Sequence, residues 1–342
     1  IAVLKGYADL LERVAYNALP TQITDGGDAR QYYQQINQVE VTRKQRNFST
    51  PHQDTDILFG ILTGYPCCTC NLHQAWPKLV QNLWLKSADG GVAAMVYAPS
   101  KLSTTLADGT KVVTDEQTCY PFEEQIRFAI SLPDRKHRTA AFPFELRIPE
   151  WCDKYTLTVN GQEVKAESVR KGTIRLNRTW SDGDKLLLTL NAPVRSSRWY
   201  DNAAVVERGP LVYALRMEEK WQKHICEGED IKQLGEYYYE VTSTTPWNVA
   251  LRNADLKEEK IATSFVVEKS ACSDKPWSLE NAPIKLKAKA HVLPEWELNR
   301  NSAGDFCYYT QQAPKGEVGE VVDIELIPFG CTTLRIAEFP VR

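Results

Sequence analysis

No apolar run in this chain approaches the roughly 20 residues that a membrane-crossing helix needs. An excess of one charge is also missing: 41 Lys and Arg face 44 Asp and Glu, for a net charge of -3, and the basic residues are scattered. Such a balance gives no footprint for nucleic acid or for an anionic membrane surface. Low-complexity segments and short-period repeats are absent. Methionine occurs twice, as Met95 and Met217, both internal, and the chain opens on Ile1. Ile1 to Asn17 reads as the middle of a fold, and no signal peptide is legible in such a start. Periplasmic, secreted and cytoplasmic locations all stay open. Cysteine is absent before Cys67, and there is neither a second Cys pair at zinc-finger spacing nor a His pair.

What is present fits a globular protein. The 342 residues suffice for two or three domains with a large core. Residues 1–88 read as helical with long connections. Val3, Leu4, Tyr7, Leu10, Leu11, Val14 and Ala15 recur at helical spacing and predict one buried stripe. Pro20 and Gly26-Gly27 break that pattern. A second helix is expected over 71–84, with Leu72, Trp76, Leu79, Val80 and Leu83 on one side and Pro77 in or near its first turn. After Gly90-Gly91 the period becomes two. Residues 125–132 place Ile126, Phe128, Ile130 and Leu132 on one face, Asn160-Gly161 is a hairpin turn, and alternation recurs over 185–190, 284–290, 321–326 and 333–337. Short strands at this spacing predict β-sandwiches. The 208–213 stretch reads as a seam between two of them, followed by a charged loop or short helix over 217–236.

The chemistry concentrates in Cys67-Cys68-Thr69-Cys70, three of the nine cysteines within four residues. Thiolates are soft ligands for zinc, which takes four donors. Pro66 would help to turn the backbone so that adjacent thiols reach one ion. A following helix N-terminus would favour thiolate, the nucleophilic form. Spacing alone leaves a metal site, a Cys67-Cys68 or Cys67-Cys70 disulfide, and inert thiols all open. The six dispersed cysteines, at 119, 152, 226, 272, 307 and 331, read as free thiols in or near the core.

The run Gly64-Tyr65-Pro66-Cys67-Cys68-Thr69-Cys70-Asn71-Leu72-His73-Gln74-Ala75-Trp76-Pro77-Lys78 resembles the cysteine-pair motif of β-L-arabinofuranosidases, glycoside hydrolase family 127 and its relatives. Residues 9–17, 31–39, 146–152, 208–213, 246–248 and 327–331 are similar to further segments of that family, in the same order. The resemblance implies an α+β multidomain fold: the C-terminal part of an (α/α)6 barrel over 1–88, then two antiparallel β-sandwich domains over 89–215 and 216–342. It implies a retaining glycoside hydrolase with Zn as cofactor. By motif position Cys67 is the nucleophile and both Cys67 and Cys68 are zinc ligands; water then releases the sugar from a thioglycosyl enzyme. It also implies a glycan or arabinofuranoside substrate contacted by Tyr33, Gln35, Asn37 and His73, no nucleic-acid or membrane partner, and a homodimer through the terminal sandwich as one available assembly.

The chain departs from the family pattern in lacking an upstream Glu-x-Cys and an upstream acid/base Glu. It therefore reads as the C-terminal half of such an enzyme, with a separate N-terminal half as one candidate partner. The rival reading is a non-catalytic carbohydrate-binding or structural β-sandwich remnant; a thiol-disulfide protein is the third. Cys70 is expected to pack behind the site, Trp76 in the core, and Glu12 on a solvated helix face with Arg13. Glu12 and Glu40 are the nearest candidates for a local acid/base, and Glu40 is open to pairing with His52 or with the basic run at 43–46.

Overall fold

The computed structural model describes residues 4–44, 54–134, 138–170, 172–301, 304–307 and 317–342. The chain is mostly β and divides into two compact units, residues 1–14 with 75–192 and residues 15–74 with 193–342.

The first unit contains helix α1 (Leu4–Arg13) and two sheets. One sheet is antiparallel, in the order Gln162–Glu163, Tyr155–Val159, Lys185–Leu190, Gln125–Ser131, Lys111–Thr118, Ser100–Thr105. The other runs Glu167–Arg170, Thr173–Ser181, Thr139–Arg147, Val92–Ala94, Trp84–Lys86. Val92–Ala94 pairs in parallel with Thr139–Arg147, so this sheet is mixed rather than purely antiparallel. The expected alternation holds: Ile126, Phe128 and Ile130 are at most 1% exposed. Phe128 of one sheet meets Phe144 of the other at 5.4 Å between ring centres, and Phe144 meets Trp180 at 5.7 Å. Offset and edge-on aromatic pairs of this kind add to what their buried area contributes. Asn160 and Gly161 both have positive φ, 52° and 81°, the conformation a two-residue hairpin loop requires.

Helix α1 is turned the other way from the expectation. Tyr7, Leu10 and Val14 are 63%, 54% and 52% exposed, whereas Ala8 and Glu12 are buried. Positions 8, 12 and 15 form the opposite helical face, and the stripe at 7, 10, 11 and 14 is left exposed by the described residues. Glu12 is thus not solvated. It is ion-paired with Arg147, and neither side chain is exposed. Arg147 also reaches Asp9 Oδ1 at 2.6 Å and the Met95 carbonyl at 2.5 Å.

A second buried acid lies in the same unit. Glu116, 2% exposed, accepts hydrogen bonds from Ser100 Oγ at 2.9 Å and from the Ala98 N–H at 3.2 Å. Burial nevertheless pushes its carboxyl up to about 8. The fold therefore favours the protonated acid. That stabilisation is complete below the ordinary value of about 4.5 and is lost as pH rises through about 8. Between pH 5 and 8.5 the wild type is expected to lose on the order of 4 kcal/mol relative to Glu116→Gln, which stays neutral. Urea midpoints of both proteins at the two pH values check this; parallel pH profiles would refute it.

The second unit is built around a seven-stranded sheet containing Val194–Arg198, Ala204–Arg208, Leu211–Leu215, Val321–Pro328, Ile284–Val292 and Val249–Leu251, with Val266–Lys269 paired to Ile284–Val292. The 208–213 stretch is a buried hairpin inside this sheet, with Gly209 at φ 59°, and not a seam. Asn17 fastens the N-terminal part of the unit to that hairpin, donating to the Pro210 carbonyl and accepting from the Val212 N–H. A smaller four-stranded sheet runs β1 (Arg30–Gln31), β2 (Phe59–Gly60), Tyr237–Thr242, Lys220–Ile225. Over 217–236, where a charged loop or short helix is expected, the chain forms the strand Lys220–Ile225 and the short helix Asp230–Leu234. Helix α2 (Cys67–Gln81) carries Pro77 in its interior, and the boundary between the units falls within it. Among the described residues, 1–88 contribute α1, α2, two short helical turns and the strands β1 and β2, together with Trp84–Lys86; a barrel is not visible there. No helix among them is long and apolar enough to cross a membrane.

Candidate active site

The cysteine turn is assembled from three stretches of the second unit: the 28–35 loop with β1, the 55–66 connection, and the first turn of α2. The helix begins at Cys67, four residues earlier than the periodicity predicts, so all three thiols lie in its first turn. Pro66 precedes it, and the Cys68 and Thr69 N–H groups donate to the Tyr65 and Pro66 carbonyls at 3.2 and 3.0 Å. Gly64 has φ 60°, and a Cβ there would lie 2.6 Å from Tyr32; the tight entry depends on glycine. Tyr32 and Tyr65 rings pack at 5.3 Å.

Beneath the turn lies Arg30, 3% exposed. Its guanidinium donates to the carbonyls of Thr63 at 2.6 Å, Tyr65 at 2.8 Å and Ile61 at 3.4 Å, and to Thr69 Oγ1 at 2.8 Å. Thr69 in turn donates to the Ile61 carbonyl at 2.5 Å. The planar fork of arginine suits such a set of acceptors, and lysine could not span them. Arg30 received no weight in the sequence reading. Its burial is a tertiary property, and the only signal was a single cation directly before Gln31-Tyr32-Tyr33.

Cys67 and Cys70 are exposed and Cys68 is half-buried; all three are free thiols, so neither of the disulfides that spacing left open is formed here. Cys70 is therefore not packed behind the site. Burial pushes the Cys68 thiol up, and Cys67 adds to this through charge and a hydrogen bond, while the Arg30 cation opposes it. The net direction is opposite to the lowering that a helix N-terminus predicts, because removal from water outweighs the dipole here. Elsewhere Cys152, Cys226 and Cys331 are buried free thiols, as expected. Cys119 and Cys272 are disulfide-bonded, contrary to expectation, since spacing in sequence does not report which thiols the fold brings within bonding reach. The Cys307 side chain lies outside the described residues.

The predicted sugar contacts are placed variously. His73 is exposed on α2, one turn beyond Cys70. Pro77 has no N–H for the His73 carbonyl. Tyr33 is 39% exposed, and its N–H donates to the Asp56 carbonyl. The Gln35 carbonyl accepts from buried Arg335 at 3.0 Å. The Asn37 side chain donates to the Glu338 carbonyl and accepts from the N–H groups of Ala337 and Glu338, fixing the loop to the C-terminal segment. Trp76 is half-buried, and Leu79 is the buried residue of α2. Glu40 accepts from Thr42 and pairs with Lys44 at 3.2 Å; His52 and residues 45–46 lie outside the described residues. A zinc ion needs four donors. Cys67 and Cys68 supply two, and no group of three or more His, Cys, Asp or Glu suited to a metal occurs among the described residues, so this chain does not by itself fit a closed zinc site.

Comparison with known proteins adds the following. Residues 91–192 match the model of the Beta-L-arabinofuranosidase, GH127 middle domain. No curated protein matches the chain. Among solved structures, one described as a glycoside hydrolase is 23% identical with a TM-score of 0.65, the match covering 98% of this chain and 48% of that one. A GH127 β-L-arabinofuranosidase from Geobacillus stearothermophilus T6 is 20% identical with a TM-score of 0.65, covering 99% and 46%. A further GH127 β-arabinofuranosidase is 19% identical with a TM-score of 0.63, covering 98% and 46%. The chain thus has the fold of GH127 structures over nearly its whole length and spans about half the length of each of them.

Proposed function

We propose that this chain is the C-terminal portion of a retaining glycoside hydrolase of the β-L-arabinofuranosidase type, in which Cys67 is the nucleophile. The observation that carries the reading is the first turn of α2: Cys67 exposed, Cys68 beside it, and a buried cation, Arg30, facing both thiols. The Arg30 cation is the influence that works against burial at Cys68, although the thiol there still lies above its ordinary value. The match of residues 91–192 to a GH127 domain supports it.

In this reading the Cys67 thiolate attacks the anomeric carbon as the aglycone leaves, and the resulting thioglycosyl enzyme is hydrolysed by water with net retention. Cys68 holds the turn and the Cys67 thiol. Tyr33, Gln35 and His73 are proposed to face the sugar, with Asn37 locking their loop. The proton donor would come from the rest of the enzyme, as would the remaining ligands of any zinc that Cys67 and Cys68 hold. The uncovered stripe on α1 and the sparse burial of α2 support a larger helical assembly, the barrel of the family, around these two helices.

The test is labelling and activity together. A thiol-reactive β-L-arabinofuranosyl analogue is expected to modify Cys67, located by peptide mass mapping. In the enzyme carrying its upstream residues, Cys67→Ala should bring hydrolysis of a nitrophenyl β-L-arabinofuranoside to background. Absence of bound zinc together with an unlabelled Cys67 would sink the reading and leave a non-catalytic remnant.

A further inference from the structure

Besides the cysteine turn, the second unit holds a cavity of about 420 Å³ lined by Trp221, Tyr239 and Trp277 together with Asp25, Glu219 and Thr333. Three aromatic rings around one open cavity are an unusual investment for a surface between loops. The fold holds each of them. The Trp221 Nε1–H donates to Glu219 Oε2 at 3.0 Å, and Glu219 Oε1 accepts the Thr333 and Leu334 N–H groups at 2.7 and 2.9 Å. Trp277 stacks on Tyr16 with the planes 3° apart. It also lies so close to Gly330 that a Cβ there would come within 2.7 Å of the ring. The Tyr239 hydroxyl donates to Asp28 Oδ2 at 2.7 Å. Trp221 is 38% exposed, and its neighbours Phe59 and Tyr239 are inclined to it by 59° and 76°, so neither ring lies parallel over it.

We propose that this cavity is a glycan-binding groove, taking one or two neutral sugar rings on Trp221 with hydroxyls at the Asp25 and Thr333 edge. Sugars present an apolar C–H face and a polar rim, and pockets that recognise such ligands combine aromatic walls with a few fixed polar groups. The acids disfavour an anionic ligand. A cation is the weaker candidate because the lining acids are already answered: Glu219 by two amides and an indole, Glu280, which also lines the cavity, by Arg216 at 3.9 Å, and Asp25 by the charge of Lys275. Register places the groove within the same small sheet as the cysteine turn. Arg30 pairs with Gly60, and Gln31 with Phe59, so the Arg30 side chain and the Phe59 ring against Trp221 leave opposite faces. The inference deepens the proposed function, and its sugar class rests on that reading.

The full chain carrying Cys67→Ala, which cannot turn over substrate in that reading, is titrated with neutral arabino-oligosaccharides of one to five residues while tryptophan fluorescence is followed. Saturable binding is expected. Trp221→Ala should weaken it at least about tenfold, and Trp221→Tyr, which keeps a ring, should recover most of it. Thermal unfolding of each variant establishes that it folds; should Trp221→Ala not fold, Trp221→Tyr and Asp25→Ala are read instead, each expected to weaken binding severalfold. No saturable binding, equal affinity in the variants, or tighter binding of tetramethylammonium chloride than of the sugars overturns the proposal. Binding that depends on Trp221, when the protein with Cys67 intact holds no zinc and its Cys67 stays unlabelled, would sink the catalytic reading alone. Hydrolysis with unchanged Trp221→Ala binding would sink the groove alone.

Discussion

Arg147→Met is expected to destabilise the first unit by about 3–5 kcal/mol, the usual cost of removing one member of a buried ion pair. The variant leaves Glu12, fully buried, without its counter-charge, and Asp9 without its donor at 2.6 Å. It also frees the Met95 carbonyl. Burial already pushes the Glu12 carboxyl above its ordinary value, and Arg147 is the largest influence pulling it down. Burial likewise opposes the Arg147 cation, but Glu12 together with Tyr120 and Tyr97 more than compensates, and arginine stays charged. In Arg147→Met the folded pKa of Glu12 rises further. The protonated acid is then the form the fold tolerates, so the loss should be largest above neutrality and shrink as pH falls toward the ordinary carboxylate value of about 4.5. Replacing both partners, Glu12→Leu with Arg147→Met, should recover most of the loss, since an apolar pair of similar volume is often neutral. Urea unfolding followed by tryptophan fluorescence at pH 4 and pH 7.5 measures all three. A loss under about 1 kcal/mol at pH 7.5, or a double variant no better than the single, would contradict the account.

The same residues show what the sequence could and could not carry. Strands at 125–131, 155–159 and 185–190 were legible because one face of each is buried in a single sheet, so a period of two survives in the residues. The face of α1 was not legible. Periodicity reports which face is apolar, not which face this chain covers, and Glu12 has an arginine waiting 135 positions away in sequence. The division of the chain was hidden for a related reason. Residues 15–74 join the C-terminal sheet through Asn17, Asn37 and a chain of buried amides, Gln31 to Gln38 to the Thr333 carbonyl. Polar contacts between distant segments leave no periodic trace. At the site, the cysteines announced themselves by density, while Arg30, which positions them, looked like any surface cation.

That positioning can be tested by removing the guanidinium. Arg30→Met keeps most of the stem's volume but abandons the Thr63, Tyr65 and Ile61 carbonyls and Thr69 Oγ1 in a site 3% exposed. Each unmet acceptor costs on the order of 1 kcal/mol, so the turn should lose about 3 kcal/mol of local stability. Arg30→Lys keeps the charge but not the fork, and should lose about half as much. The electrostatic consequence separates from the structural one. Arg30 is the influence that lowers the Cys68 thiol against burial and Cys67, so in Arg30→Met the thiol must titrate higher, whereas Arg30→Lys should hold it near the wild type. Alkylation by iodoacetamide, read at Cys68 by peptide mass spectrometry from pH 6 to 10.5, gives the midpoint. A loosened turn alone would raise the rate at every pH without moving that midpoint upward. If Arg30→Met speeds alkylation with the midpoint unchanged, Arg30 is only a strut for the 61–65 carbonyls. If the midpoint rises and Arg30→Lys restores it, the buried cation acts on the thiols through its charge.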